Sequence, residues 1–302
     1  MPLATVYLTI MPNQMIATIF DGLTRGMLYV LLALGLNIIL GLMGVINFAH
    51  GAFFALGAYI TFTLSQRLGL FPAIIAAALC MAVLGMIMES TFIRRLYSRP
   101  PEHVLMFTFG AFLIIVQIIR KIWGDTPQPL SPTGFLAGSI NLGFSQYPTF
   151  RLLVVALTVL VLIIVYLILV RTNLGLTIRA GTRDSEMVSI LGINMPLTFT
   201  IVFGLGSLLG GLAGGLEAPL YNIDPNMGAT YIIIAFLVVI VGGIGSFWGA
   251  VVGGLIIGLL QELTVQLIPG GSSAEDIVPF AFMLLILLVR PRGLFGAEGL
   301  FD

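Results

Sequence analysis

Few residues of this chain have the types and spacing that catalysis or metal binding requires. The only lysine, Lys121, follows Arg120, so the Gly-x-x-x-x-Gly-Lys-Ser/Thr loop that cradles nucleotide phosphates is absent from the sequence. The only His and Cys residues form no metal-ligand pattern: His50, His103 and Cys80. No nucleophile–base pair can be identified either. The sequence therefore predicts a non-enzymatic chain that binds neither ATP nor a metal.

The composition indicates a membrane protein. Of 302 residues, 59% are hydrophobic and only 9% are charged, and the mean hydropathy is +1.12. A soluble domain needs about a quarter of its residues charged. Thirteen basic and thirteen acidic residues give a net charge of zero, which excludes a nucleic-acid binder that depends on a basic face. We therefore expect an all-α polytopic membrane protein.

Two long uncharged intervals predict helical hairpins broken at glycines. Residues 26–66 contain no Asp, Glu, Lys or Arg, and these 41 residues are about twice the length that one crossing needs. The expected break is at residues 41–44, Gly-Leu-Met-Gly. Residues 225–261 form the second interval, with the break at 242–246, Gly-Gly-Ile-Gly-Ser. Five single segments complete a single domain, residues 1–302, of about eight or nine spanning or re-entrant helices: 68–88, 104–119, 152–170, 197–216 and 277–289, the last expected to begin nearer Ser272.

The basic residues predict the orientation, because they favour cytoplasmic loops. Alternating crossings place the polar loop of residues 171–196 inside, the proline-rich loop of residues 120–151 outside, the N-terminus outside and the C-terminus in the cytoplasm. Asp21 and Arg25, four residues apart, are expected to pair. Three glutamates at helix ends are expected to be solvated: Glu89, Glu217 and Glu262.

The inside loop contains a short amphipathic helix. Thr182 is the expected N-cap and Gly192 the expected stop. Asp184 and Glu186 suit the positive end of the helix dipole. One face is apolar, formed by Met187, Ile190 and Leu191. Such a helix either lies in the lipid interface or docks into a groove of a partner protein.

Glycine-interrupted segments in the two halves of a transporter point to the substrate path. The candidates for that path are Asn47, His50, Gly51, Gly242, Gly243 and Gly245. The alternative is structural: Asn47 caps a helix and His50 packs against a neighbouring helix. Glycines four apart, at 206, 210 and 214 and at 249 and 253, suit close helix packing within the chain or a subunit interface.

Four motifs together resemble the permeases of branched-chain amino-acid importers of the ATP-binding-cassette class, the H-type subunit in particular. They are Asn47-Phe48-Ala49-His50-Gly51, the loop 179–194, the break 242–246, and Pro291-Arg292-Gly293-Leu294-Phe295-Gly296. Within the loop, Glu186 to Gly192 has the spacing of the Glu-Ala-Ala signature, although Met187 and Val188 replace the two alanines. The resemblance covers about residues 20 to 297.

The resemblance implies a permease subunit of the bacterial inner membrane that moves leucine, isoleucine or valine. It also implies a second, M-type permease, two ATPase subunits that bind ATP and magnesium, and a periplasmic solute-binding protein. The residues that it implies for coupling to the ATPase are Arg183, Asp184, Glu186, Met187, Ile190, Leu191 and Gly192. Two alternatives remain: a permease of the same family for urea or short amides, and a secondary transporter or channel that acts alone.

Overall fold

The computed structural model of the chain describes residues 12–141, 143 and 146–296. Its regular structure is almost entirely helical, as predicted, with one small hairpin of strands. The helices are α1 (Pro12–Met43), α2 (Ala49–Leu68), α3 (Leu70–Thr91), α4 (Pro101–Trp123), α5 (Thr149–Arg171), α6 (Asn173–Gly181), α7 (Ser185–Ile190), α8 (Met195–Glu217), α9 (Met227–Gly242), α10 (Phe247–Leu267) and α11 (Ile277–Val289). The strands are β1 (Ser139–Asn141) and β2 (Gln146–Pro148), which pair antiparallel.

Eight of the described helices are apolar segments of membrane type, in agreement with the prediction of about eight or nine. Six segments, in α1, α3, α4, α5, α8 and α10, are long and apolar enough to cross a bilayer, and α9 and α11 are shorter apolar helices. The helix α2, of 20 residues, is long enough to cross but less apolar. The chain is therefore an all-α polytopic membrane protein.

Both predicted hairpin breaks are confirmed. The first helix ends at Met43 and the next begins at Ala49, while α9 ends at Gly242 and α10 begins at Phe247. The last helix begins at Ile277 rather than near Ser272. There the prediction was wrong, because Gly270 takes a left-handed φ of +76° and starts a separate 3-10 turn.

The core of the bundle is built on α1 and α8, which are the most buried of the long helices. Glycines let the neighbouring backbones approach them. A Cβ at Gly35 would lie 2.6 Å from the carbonyl oxygen of Gly206, and a Cβ at Gly228 would lie 2.5 Å from that of Gly51. A Cβ at Gly210 would lie 3.1 Å from Cε1 of the His50 ring. The glycine ladder of α8 therefore packs inside this chain, as the first of the two interpretations predicted.

The two ends of the bundle differ in chemistry. We call the end that carries β1 and β2 the hairpin end, and the opposite end, which carries residues 92–100 and 171–196, the arginine end. At the hairpin end, Asp21 accepts hydrogen bonds from Tyr147 at 2.9 Å and from Arg151, with which it also forms an ion pair. Burial raises the pKa of Tyr147 to about 12, so its hydroxyl stays a neutral donor.

The prediction that Asp21 pairs with Arg25 is therefore wrong. Arg25 instead contacts Glu262 at 3.1 Å and Glu275 at 3.3 Å, and both of these glutamates are distant from it in the sequence. Helical spacing brings Asp21 and Arg25 close on α1, but partners from α5, α10 and the turn before α11 take up both charges. The pairing thus joins α1 to three other elements of the hairpin end.

A methyl group at Gly258 is expected to destabilise the bundle. In Gly258→Ala, the new Cβ would lie 2.7 Å from the carbonyl oxygen of Gly22 and against the backbone of Gly26. Backbone atoms cannot move aside as a side chain can, so we expect the free energy of unfolding to fall by about 1–3 kcal/mol. The measurement is the midpoint of thermal unfolding in detergent.

Gly110→Ala on α4 is the matched control, because nothing lies within 4 Å of its Cβ position. It should unfold at the same temperature as the wild type or slightly higher, given the better helix propensity of alanine. Equal midpoints for the Gly110 and Gly258 variants would contradict the proposed close contact between α1 and α10.

Candidate functional site

The side chain of Asn37, which lies near the C-terminal end of α1, holds the second helix break, between α9 and α10. Its Nδ2 donates to the carbonyl oxygen of Ser246 at 2.8 Å, and its Oδ1 accepts from the amide of Gly245 at 2.7 Å. Gly243 and Gly245 take left-handed φ values of +103° and +77°, which favour glycine. Ser246 then caps α10 by accepting from the amide of Gly249 at 3.0 Å.

The C-terminal tail completes this break. The amide of Leu294 donates to the carbonyl oxygen of Val241 at 2.8 Å, and that of Phe295 donates to the carbonyl oxygen of Gly242 at 2.9 Å. A Cβ on Gly243 would lie 2.5 Å from the amide nitrogen of Gly296. Two of the motifs that carried the family resemblance, the glycine break and the Pro291–Gly296 tail, therefore contact each other directly.

At the first break, between α1 and α2, a different side chain contacts the backbone groups. Thr108 on α4 accepts from the amide of Phe48 at 3.3 Å and lies 3.3 Å from the carbonyl oxygen of Ile46. Asn47 is fully buried and does not cap α2, whose N-cap residue is Phe48 without a side-chain hydrogen bond. Among the described residues, neither polar atom of the Asn47 side chain has a hydrogen-bond partner. The capping alternative for Asn47 is therefore wrong.

His50 lies one turn further along α2 and is also fully buried. Its Nε2 is 3.0 Å from the carbonyl oxygen of Leu32 on α1, and its ring packs against Gly210 on α8. Gly51 lies against Gly228 at the start of α9. These contacts agree with the packing alternative for His50.

A cavity of about 380 Å³ opens beside the second break towards the arginine end. It lies between α1, α5, α6 and α10, and Asn37, Gly245, Arg179 and Trp248 contribute to its lining. Of the six residues predicted for the path, Gly245 lines this cavity. Asn47 lies in the first break, and His50 and Gly51 lie in the first turn of α2. None of these three lines the cavity, so the two groups do not share one surface in this conformation.

The predicted amphipathic helix is α7, at the arginine end. Its N-cap is Asp184, which accepts from the amide of Met187 at 2.8 Å. The prediction of Thr182 as the cap is wrong, because Thr182 ends α6 instead. Gly192 stops the helix in a left-handed conformation with a φ of +87°, as predicted.

The apolar face of α7 points away from the bundle. Ile190 and Leu191 are each 73% exposed and Met187 is 52% exposed. Only Val188 is buried against the rest of the chain. Arg183, Asp184 and Glu186 are also exposed, so a charged rim borders three uncovered apolar side chains. Such a surface suits docking into an apolar groove.

A buried carboxylate connects this region to α3. Glu89 is 0% exposed, and its two oxygens accept from Tyr97 at 2.9 Å, Arg94 at 3.2 Å and Thr200 at 2.5 Å. Arg94 also donates to the carbonyl oxygen of Pro196 at 3.2 Å. The prediction that Glu89 is solvated is wrong, because the 3-10 turn after α3 folds Arg94 back onto it.

The same correction applies at the hairpin end. Glu217 is 1% exposed and accepts from Tyr231, while Glu262 pairs with Arg25. A position at the end of a helix predicts exposure to water, but neighbouring elements bury Glu217 and leave the side chain of Glu262 only 18% exposed. Asn37 was missed altogether, although it is the only amide side chain of α1 after Arg25, and that isolation was the available signal.

Asn37→Leu is expected to destabilise the second break. The substitution removes both hydrogen bonds and leaves the amide of Gly245 and the carbonyl of Ser246 without their partner. Each orphaned group costs about 1–3 kcal/mol, so the midpoint of thermal unfolding in detergent should fall. Asn222→Leu, at an exposed loop position, is the control and should leave it unchanged. A wild-type midpoint for the Asn37 variant would contradict the bridging role.

Comparison with known proteins identifies the family. The model of the family described as "Branched-chain amino acid transport system / permease component" matches residues 18–287. No solved structure gives a significant match.

Similar relatives span nearly the whole chain. The permease protein BraD of a high-affinity branched-chain amino acid transport system in Pseudomonas aeruginosa is 30% identical, over 91% of this chain and 94% of its own length. LivH of Escherichia coli, named for the same kind of system, is 28% identical, over 92% and 94%. LivM of Escherichia coli is 26% identical, over 91% of this chain and 69% of its own length. With two glycine-broken hairpins in an all-α membrane bundle, the chain belongs to the family of branched-chain amino-acid transport permeases.

Proposed function

We propose that this chain is the H-type permease subunit of an ATP-driven importer that moves leucine, isoleucine or valine across the bacterial inner membrane. The observation that carries the proposal is the match to BraD and LivH, both named as permeases of high-affinity branched-chain amino acid transport, over at least nine-tenths of each chain. The absence of a nucleotide phosphate loop from the sequence supports a non-catalytic subunit that depends on a separate ATPase.

The proposed complex contains a second, M-type permease, two ATPase subunits and a periplasmic binding protein. The weaker similarity to LivM supports a second permease of related fold. ATP and magnesium would bind to the ATPase subunits, and this chain would need no cofactor of its own.

In this proposal, α7 is the coupling helix that docks onto an ATPase subunit. Its exposed Ile190 and Leu191 would enter an apolar groove, while Arg183 and Glu186 would fix the orientation at the rim. Movement of α7 would reach the bundle through α6, which lines the cavity beside Asn37 and the second break. The path residues, with Asn47, His50 and Gly51 at one break and Gly242, Gly243 and Gly245 at the other, would then rearrange as the spans open to either side.

The arginine end would face the cytoplasm. It carries the loop 171–196 and the C-terminal tail, whose basic residues favour that side, and the hairpin end would face the periplasm. A cysteine at the exposed Ser189 should react with a membrane-impermeant thiol reagent only in inverted vesicles. Reaction only in right-side-out vesicles would reverse the orientation.

Charged substitutions on the apolar face of α7 should weaken the binding of the permease to its ATPase subunits. We expect Ile190→Glu and Leu191→Glu to reduce copurification of the ATPase subunits by at least about tenfold, because each would desolvate a carboxylate in an apolar groove. Substitution of Glu186 or Gly192 should lower transport while the chain still inserts into the membrane. Copurification from detergent and uptake into vesicles are the measurements.

Ser189→Glu is the matched control, since Ser189 is exposed on the opposite face of the same helix. It should retain the ATPase subunits. Full copurification by the Ile190 and Leu191 variants, or equal loss in the Ser189 variant, would show that this face is not the docking surface.

A further inference from the structure

A polar cluster lies at the hairpin end where α1, α8, α9 and α10 meet. Its cation is Arg25, which contacts the carboxylates of Glu262 and Glu275. Glu217 adds a buried carboxylate, and the exposed Asp276 adds another, which accepts from Gln261 at 3.3 Å. The neighbouring Arg151 adds no net charge, because it is paired with Asp21. With every group ionised, the cluster therefore carries an excess of negative charge.

Glu217 is the least satisfied member of this cluster. Its side chain is 1% exposed, and one carboxylate oxygen accepts from the hydroxyl of Tyr231. Within the described part of the chain, the other oxygen, Oε2, has no hydrogen-bond partner. A buried acceptor without a donor is costly unless a ligand or a proton satisfies it. The contrast is Glu89, which is equally buried but has donors on both oxygens.

Aromatic rings pack against Tyr231, the residue that donates to Glu217. The ring of Tyr231 stacks on Phe54 with a centroid separation of 4.4 Å and meets Tyr29 edge-on at 6.0 Å. The hydroxyl of Tyr29 donates its proton to Gln261 at 2.6 Å and therefore not to Glu217. Carboxylates with tyrosine faces attract an organic cation such as a primary ammonium group.

The loop that directly follows Glu217 lines a cavity of about 350 Å³ at the hairpin end, and Pro219 and Tyr221 form part of its wall. The guanidinium group of Arg25 lies over the ring of Tyr221, 5.4 Å from the ring centroid. Arg25 therefore links Tyr221, in the wall of this cavity, to the carboxylates of the cluster.

We propose that Glu217 binds the ammonium group of the transported solute at the outer end of the path, through its free Oε2. This inference rests on the proposed function and deepens it, because it selects among the solutes that the family resemblance left open. A zwitterionic amino acid carries an ammonium group that can pair with the free oxygen. Urea and short amides carry no ammonium group and cannot form this ion pair, so the site favours amines.

The test is binding to the purified complex of permease and ATPase subunits without the binding protein. The probe is radiolabelled leucine. Two competitors each lack one of its charged groups: 3-methylbutylamine lacks the carboxylate, and 4-methylpentanoate lacks the amine. We expect the amine to displace leucine and the acid and urea to fail. In Glu217→Gln, affinity for leucine and for the amine should fall by at least about tenfold, because a charge-assisted hydrogen bond is lost.

Glu89→Gln is the control for replacing a buried carboxylate, and it should bind leucine as the wild type does. If Glu217→Gln does not assemble, Glu217→Asp keeps the charge and should retain displacement by the amine with reduced affinity. Wild-type affinity in Glu217→Gln would overturn the inference and indicate that Glu217 is simply protonated. Displacement by the acid but not by the amine would overturn it as well.

The outcome can be separated from that of the proposed function. If the wild-type complex takes up leucine with ATP but the Glu217→Gln complex binds it equally well, the site is wrong and the importer stands. If the complex binds amines through Glu217 but shows no ATP-dependent uptake of leucine, isoleucine or valine, the proposed function is wrong and the site stands.

Discussion

Backbone groups inside a membrane must find hydrogen-bond partners within the protein, and this structure depends on how its two broken hairpins meet that requirement. At the second break, Asn37 and the tail residues Leu294 and Phe295 supply the partners. At the first break, Thr108 does so. Both breaks are thus fixed by residues far away in the sequence. A helix that carries such a residue cannot move without disturbing the break that it supports.

Glycine packing makes these long-range contacts possible. Close approach of α1 to α8 and α10 brings Asn37 within reach of the loop between α9 and α10, and it encloses Glu217 and Glu89 at opposite ends of the bundle. Each end is therefore closed by a buried carboxylate with tyrosine and arginine neighbours. In the proposed importer, Glu89 lies on the side of the coupling helix and Glu217 on the side of the outer cavity.

The sequence predicted the elements well and their pairing poorly, for a physical reason. Uncharged intervals and glycines determine where helices break, so both breaks and the helix α7 were found within a few residues. Partner choice depends on which helices become neighbours, and spacing along one helix does not contain that information. Asp21 therefore pairs with Arg151 rather than Arg25, and Glu89 and Glu217 are buried rather than solvated. Of the candidate site, the exposed face of α7 was predictable; for Asn37, its isolation among apolar residues marks the position, but the sequence does not show its partners Gly245 and Ser246.

The most direct test of the account is transport by purified components in proteoliposomes. The complete complex, loaded with ATP on the ATPase side, is compared with the same complex without ATP and with this chain reconstituted alone. The account predicts that labelled leucine accumulates only when both permeases, the ATPase subunits, the binding protein and hydrolysable ATP are present. Leucine flux through this chain alone, without ATP, would contradict it and identify a secondary transporter or channel.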